Sequence, residues 1–135
     1  MSKSIETIEG IGPKTGASLR KAGIRTVEKL LETACAKRGR KALAAETGIN
    51  EKTLLRCVNM ADLFRINGVA SQYAELLEAA GVDTVKELRN RNSDNLAAKM
   101  ADVNAAKRLV RVTPSANVVA KWVAQAKVLP PKVTY

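Results

Sequence analysis

Histidine is absent from this chain, and with it the side chain that most often serves as general base or metal ligand near neutral pH. An ordinary nucleophile–base pair is therefore excluded. Cys35 and Cys57 are the only cysteines. Two thiolates without histidine cannot complete a tetrahedral zinc site unless carboxylates join them. Two small buried thiols in a reducing compartment are the simpler reading. Aromatic residues make up 3% of the chain: Phe64, Tyr73, Trp122 and Tyr135. That is few for a reader of single strands, which stacks bases on exposed rings. Phe64 and Trp122 also fall at apolar helical positions that suit a core. No stretch approaches transmembrane length, and the N-terminus lacks the apolar run of a signal peptide. A cytoplasmic location, with bacterial nucleoid association as a variant, is expected.

What the chain does have is positive charge and small aliphatic residues. Its 135 residues carry 23 Lys and Arg against 13 Asp and Glu, a formal net charge of +10, so polyanions are the expected partner class. Hydrophobic residues reach 46%, enough for a folded core. They are mostly Ala, Leu and Val, which favours closely packed short helices over a β-sandwich.

The stretch Ile8-Glu9-Gly10-Ile11-Gly12-Pro13-Lys14 organises the first half. Glycine tolerates left-handed backbone angles and lets a ligand come close. Pro13 suits the first helical position, where its missing N–H has no intrahelical partner. Such a turn aims the unpaired N–H groups of a helix start outward, which makes an anion site, and Lys14 adds a full charge beside it. The bland alternative is a hairpin that only turns the chain.

The remaining punctuation is helical. Ser4 can cap a short helix through Glu9 with Ile5 and Ile8 on one side. Pro13 to Ala22 reads as a second helix ended by Gly23, and Thr26 caps a third with Val27, Leu30, Leu31 and Ala34 at helical spacing. Lys37-Arg38-Gly39-Arg40-Lys41 reads as a basic link before a shorter helix from Ala42 to Thr47. Asn50 caps the next helix, through Leu63. Leu43 to Leu54 has the rhythm of a helix-turn-helix unit, a pattern also common in helical proteins that never touch DNA. Further on come a capping box at Thr84 and Glu87, a helix from Asp94 to about Asn104, and a last one from Ala116 to Val128.

The second half repeats the first. Ile66-Asn67-Gly68-Val69-Ala70 stands 58 positions after the first hairpin, and at that offset Leu19, Ala22, Gly23, Thr26, Val27 and Leu30 meet Leu77, Ala80, Gly81, Thr84, Val85 and Leu88. Arg56-Cys57-Val58 parallels Lys121-Trp122-Val123 at an offset of 65. An internal duplication accounts for this. The expected fold is all-α: two duplicated helix-hairpin-helix units packed as one compact helical domain, each followed by a helix-turn-helix-like pair. The expected boundaries are 1–63, 64–129 and an extended tail over 130–135. The copy departs at its turn, where Ala70, Ser71 and Gln72 replace Gly12, Pro13 and Lys14.

These residues resemble the helix-hairpin-helix motif, and the paired copies resemble the tandem unit of DNA-repair and recombination proteins. The whole chain is similar to a bacterial family of tandem helix-hairpin-helix proteins of unknown function. The resemblance implies that hairpin amides hold DNA backbone phosphates without reading sequence, in some members with a monovalent cation under the turn. By position, Gly10, Ile11, Gly12 and Lys14 inherit that role, and Gly68 and Val69 inherit it in part.

The expected function is non-enzymatic binding of duplex DNA through its backbone. Residues 14–41 hold nine cations, of which Arg20, Lys21, Arg38, Arg40 and Lys41 join the candidate set, against Glu28 and Glu32. Structured RNA, or an adaptor role toward a nucleic-acid enzyme, are the alternatives. No membrane, small-molecule substrate, metal or other cofactor is expected. A Schiff-base role for Lys14 would need a base-sized pocket and a catalytic carboxylate, and the scattered acids supply no such pair.

Overall fold

The computed structural model describes residues 3–8 and 10–135. Among them the chain is all-helical, with a 3-10 turn at Ile5–Thr7 and eight α-helices. These are α1 (Pro13–Lys21), α2 (Val27–Ala34), α3 (Lys37–Thr47), α4 (Glu51–Leu63), α5 (Ser71–Ala79), α6 (Val85–Leu88), α7 (Ser93–Lys107) and α8 (Ala116–Val128). Among the described residues one isolated backbone bridge pairs Ser4 with Thr26. The chain divides into two units: Met1–Asp62 together with Lys132–Tyr135, and Leu63–Pro131.

In the first unit α2 packs on α3 and on the 3-10 turn. Ile5, Ile8, Leu19, Ile24, Leu30, Ala34, Leu54 and Val58 are buried. In the second, α7 lies along α8, α5 packs on α7 and α6 on α8. Its core includes Ile66, Val69, Leu76, Leu77, Val82, Leu88, Met100, Val119 and Trp122. Burying each large aliphatic side chain contributes about 1.5–3 kcal/mol before entropy is charged against it, so these residues hold the turns in place.

Residues 58 positions apart share backbone geometry. Gly10 and Gly68 take φ of +92° and +94°, where an L side chain would be strained. The Ile11 N–H donates to the Ile8 carbonyl, and the Val69 N–H donates to that of Ile66. After α1, Gly23 and Ile24 donate back to Arg20 and Leu19; after α5, Gly81 and Val82 donate to Glu78 and Leu77. Both are the paired closure in which a left-handed glycine satisfies the last helical carbonyls. Thr26 then accepts from the Lys29 N–H, and Thr84 from the Glu87 N–H, as N-caps.

Three local expectations change. The N-terminal helix shrinks to one 3-10 turn, Ser4 bonds Glu6 rather than capping a helix, and the expected helix end at Glu9 lies outside the described residues. The basic link is helical: α3 starts at Lys37, with no acid in its first turn. That is a poor match to the helix dipole. Arg40, only 3% exposed, points its charge instead at the end of α2: its guanidinium donates to the Ala34 carbonyl at 3.1 Å, the Cys35 carbonyl at 2.8 Å, and the Thr134 carbonyl. Arg40 thus satisfies the end of α2 and the tail at once. Gly39 lies so near α2 that a Cβ there would overlap the Thr33 carbonyl oxygen, so this glycine serves close packing and not a flexible link. Finally, α7 runs on to Lys107 and closes with Arg108 at φ +52°. The Asn104 side chain stabilises that turn by bonding both the N–H and the carbonyl of Val110.

The extended segment at the end of the chain lies on the first unit. Val133 is buried, and the Thr134 N–H donates to the Cys35 carbonyl at 2.8 Å. Among the described residues no helix is long and apolar enough to cross a membrane.

Candidate phosphate-binding hairpin

The first hairpin sets Gly12 as the N-cap of α1, with Pro13 at the first position of the helix. Gly12 accepts the first intrahelical bond, from Gly16 at 2.9 Å. The N–H groups of Lys14 and Thr15 precede that bond, and among the described residues they meet no acceptor. Gly12 has φ −83° and ψ 177°, angles open to any residue. A Cβ built on it would meet nothing within 4 Å. Neither conformation nor internal packing demands glycine here. Its effect is to leave bare the space at the helix start, where a Lys14 side chain is exposed beside unpaired amides.

Gly10 differs. It needs its positive φ, and a Cβ would sit 2.5 Å from Arg56 Nη1. Arg56, on α4, therefore brings its guanidinium against the back of the turn. It was outside the residues expected from sequence. The available signal was its place in the second repeat offset, opposite Lys121.

Some candidates leave the set. The Ile11 and Val69 amides bond inside their own turns, and the residues are 9% and 1% exposed, so both build the hairpin and do not face a ligand. Arg40 is buried, and its guanidinium is spent on three carbonyls. Arg20 is exposed but ion-paired with Glu6. Lys14, Lys21, Arg25, Lys37, Arg38 and Lys41 are exposed, and among the described residues none of them enters an ion pair. Lys21 borders an open cleft of about 300 Å³ with Ser18, Ala22, Glu46 and Thr47.

The second hairpin has a different lining. Ala70 is the N-cap of α5, and the exposed residue at the Lys14 position is Gln72. Asn67 is held at both ends by Gln125, which accepts from its N–H at 2.8 Å and donates to its carbonyl at 3.3 Å. Behind Gly68, Trp122 Nε1 lies 3.2 Å from where a Cβ would be, and the indole sits 5.5 Å from the Tyr73 ring.

Neither site gathers metal ligands: no three Cys, Asp or Glu side chains cluster among the described residues. Neither cysteine forms a disulfide, and Cys57 is buried whereas Cys35 is only half-buried. A monovalent cation under the first turn would rely on backbone carbonyls, of which Ile8 already accepts the Ile11 N–H.

The family model described as a domain of unknown function (DUF4332) matches residues 9–129. Neither a curated protein nor a solved structure matches the chain.

Proposed function

The chain belongs to the DUF4332 family, and for this member we propose a non-enzymatic module that binds the backbone of double-stranded DNA. In this reading the two halves are duplicated helix-hairpin-helix units, and the first takes the phosphate. The observation that carries it is Gly12: a glycine with ordinary angles and empty space before it, directly in front of two unpaired helix-start amides. An anion there gains the amide donors, the positive end of the helix and the Lys14 ammonium together. Exposed unpaired cations on the same unit extend the contact along a polyanion, and amides that bond phosphate oxygens carry no base information.

The test is a titration of two fluorescent duplexes of unrelated sequence across a salt series, with a structured RNA alongside. Equal affinities and a linear fall of log K with log salt, at a slope of about −0.9 per phosphate, support the proposal. No binding at low salt refutes it. Tighter RNA binding would move the ligand to structured RNA.

A further inference from the structure

We propose that the groove beside Tyr135 on the first unit is a stacking subsite for one unpaired nucleobase of a single-stranded nucleic-acid segment. This rests on reading the chain as a nucleic-acid binder, and adds a second kind of contact to it. Tyr135 is 68% exposed, whereas Phe64 and Trp122 are buried. An exposed ring on an extended segment would ordinarily be mobile. Here the preceding residue is fixed: Thr134 donates to Cys35 and accepts from the buried Arg40, and Val133 is buried next to it. The fold thus commits a buried guanidinium to holding the backbone that presents this ring.

Tyr135 edges a groove of about 220 Å³ shared with Lys37, Arg40, Glu51, Lys52 and Leu55. That is below the roughly 300–1,000 Å³ of clefts for drug-sized ligands, and it suits a single planar group. The Tyr135 ring and Leu55 offer apolar surface to the face of a base. Lys37 and Lys52 are exposed at the rim, and with Arg40 these side chains outnumber the acids beside them, Glu51 and the α-carboxylate of Tyr135, so the charge favours an occupant carried on a phosphate chain. A base stacked in this way is held by its face and not read by its edges, so all bases should be accepted.

The experiment uses the full chain and three probes: a blunt duplex, the same duplex with a short single-stranded extension, and the extension alone. A fluorescent purine analogue is placed at the first unpaired position. The extension should tighten binding by roughly 5- to 150-fold over the blunt duplex and quench the analogue. Tyr135→Ala should abolish that advantage and the quenching while leaving blunt-duplex affinity unchanged, and Tyr135→Phe should keep both. An extension without advantage, or a Tyr135→Ala loss equal on blunt and extended probes, overturns the subsite. Blunt-duplex binding without an extension effect would sink the subsite alone. Extension binding without blunt-duplex binding would sink the duplex reading and keep the subsite. A DNA and an RNA extension, run side by side, show which strand is preferred.

Discussion

The two hairpins have one backbone and two linings. Gly10 and Gly68 turn at nearly the same φ, and each is followed by a helix whose start leaves amides unpaired, Lys14 and Thr15 in the first and Gln72 and Tyr73 in the second. The first turn is bare in front, flanked by Lys14, and backed by the Arg56 guanidinium. In the second, a methyl group stands at Ala70, Gln72 is neutral, Trp122 closes in behind Gly68 and Gln125 clasps Asn67. Matching backbone geometry therefore does not imply a matching surface. What differs is charge and side-chain volume within a few ångströms of the turn.

The largest effect that would sharpen this contrast is expected from Trp122→Ala. Removing a buried indole should destabilise the second unit by about 3–5 kcal/mol. Chemical denaturation should show it, along with duplex affinity kept in conditions where the variant is folded. A loss of affinity in the folded variant would mean that the second unit takes part in binding.

Next comes charge reversal at equivalent positions. Lys14→Glu should lower duplex affinity by about tenfold or more, whatever the sequence, and make the salt slope shallower by about one. Gln72→Glu should cost much less. Equal losses in anisotropy titrations would mean two equivalent hairpins.

The clasp is the third lever. Gln125→Met places in the second unit the residue found at the 65-position offset in the first, Met60. It should cost about 1–2 kcal/mol, because the Asn67 N–H and carbonyl lose their protein partner and turn to water. Faster amide exchange at Asn67 with unchanged duplex affinity is the expected pattern.

The smallest stability effect is expected at the bare glycine. Gly12→Ala should shift stability by less than about 1 kcal/mol, since its angles are ordinary and its Cβ meets no neighbour. Yet it should weaken duplex binding several-fold by crowding the amides. Ala70→Gly should not raise affinity appreciably, because Gln72 supplies no charge. If Gly12→Ala binds as well as the natural chain, the first hairpin is packing alone.

Much of the fold was legible because it is written locally. The caps at Thr26, Thr84 and Asn50, the left-handed glycines and the bounds of α8 depend on residues within one turn of one another. The matching turn angles and caps 58 positions apart were legible for the same reason. The candidate site was legible as a turn, but its membership was not. Arg40 reads as one more surface cation in a basic run, and Ile11 as part of an outward-facing loop. Their burial depends on carbonyls at Ala34, Cys35 and Thr134, and on the Ile8 carbonyl.

By itself, then, the sequence determined an all-helical chain, its positive charge, and where the backbone must turn, because propensity, capping and glycine geometry act over a few residues. Only the tertiary structure decided that Gly39 is a packing glycine, that Arg40 ties α2 to a segment 94 positions away, and that Arg56 and Trp122 stand behind otherwise similar turns. Those outcomes depend on which elements come within a few ångströms of each other. Burial and hydrogen bonding across long sequence separations set that proximity, and no local pattern encodes it.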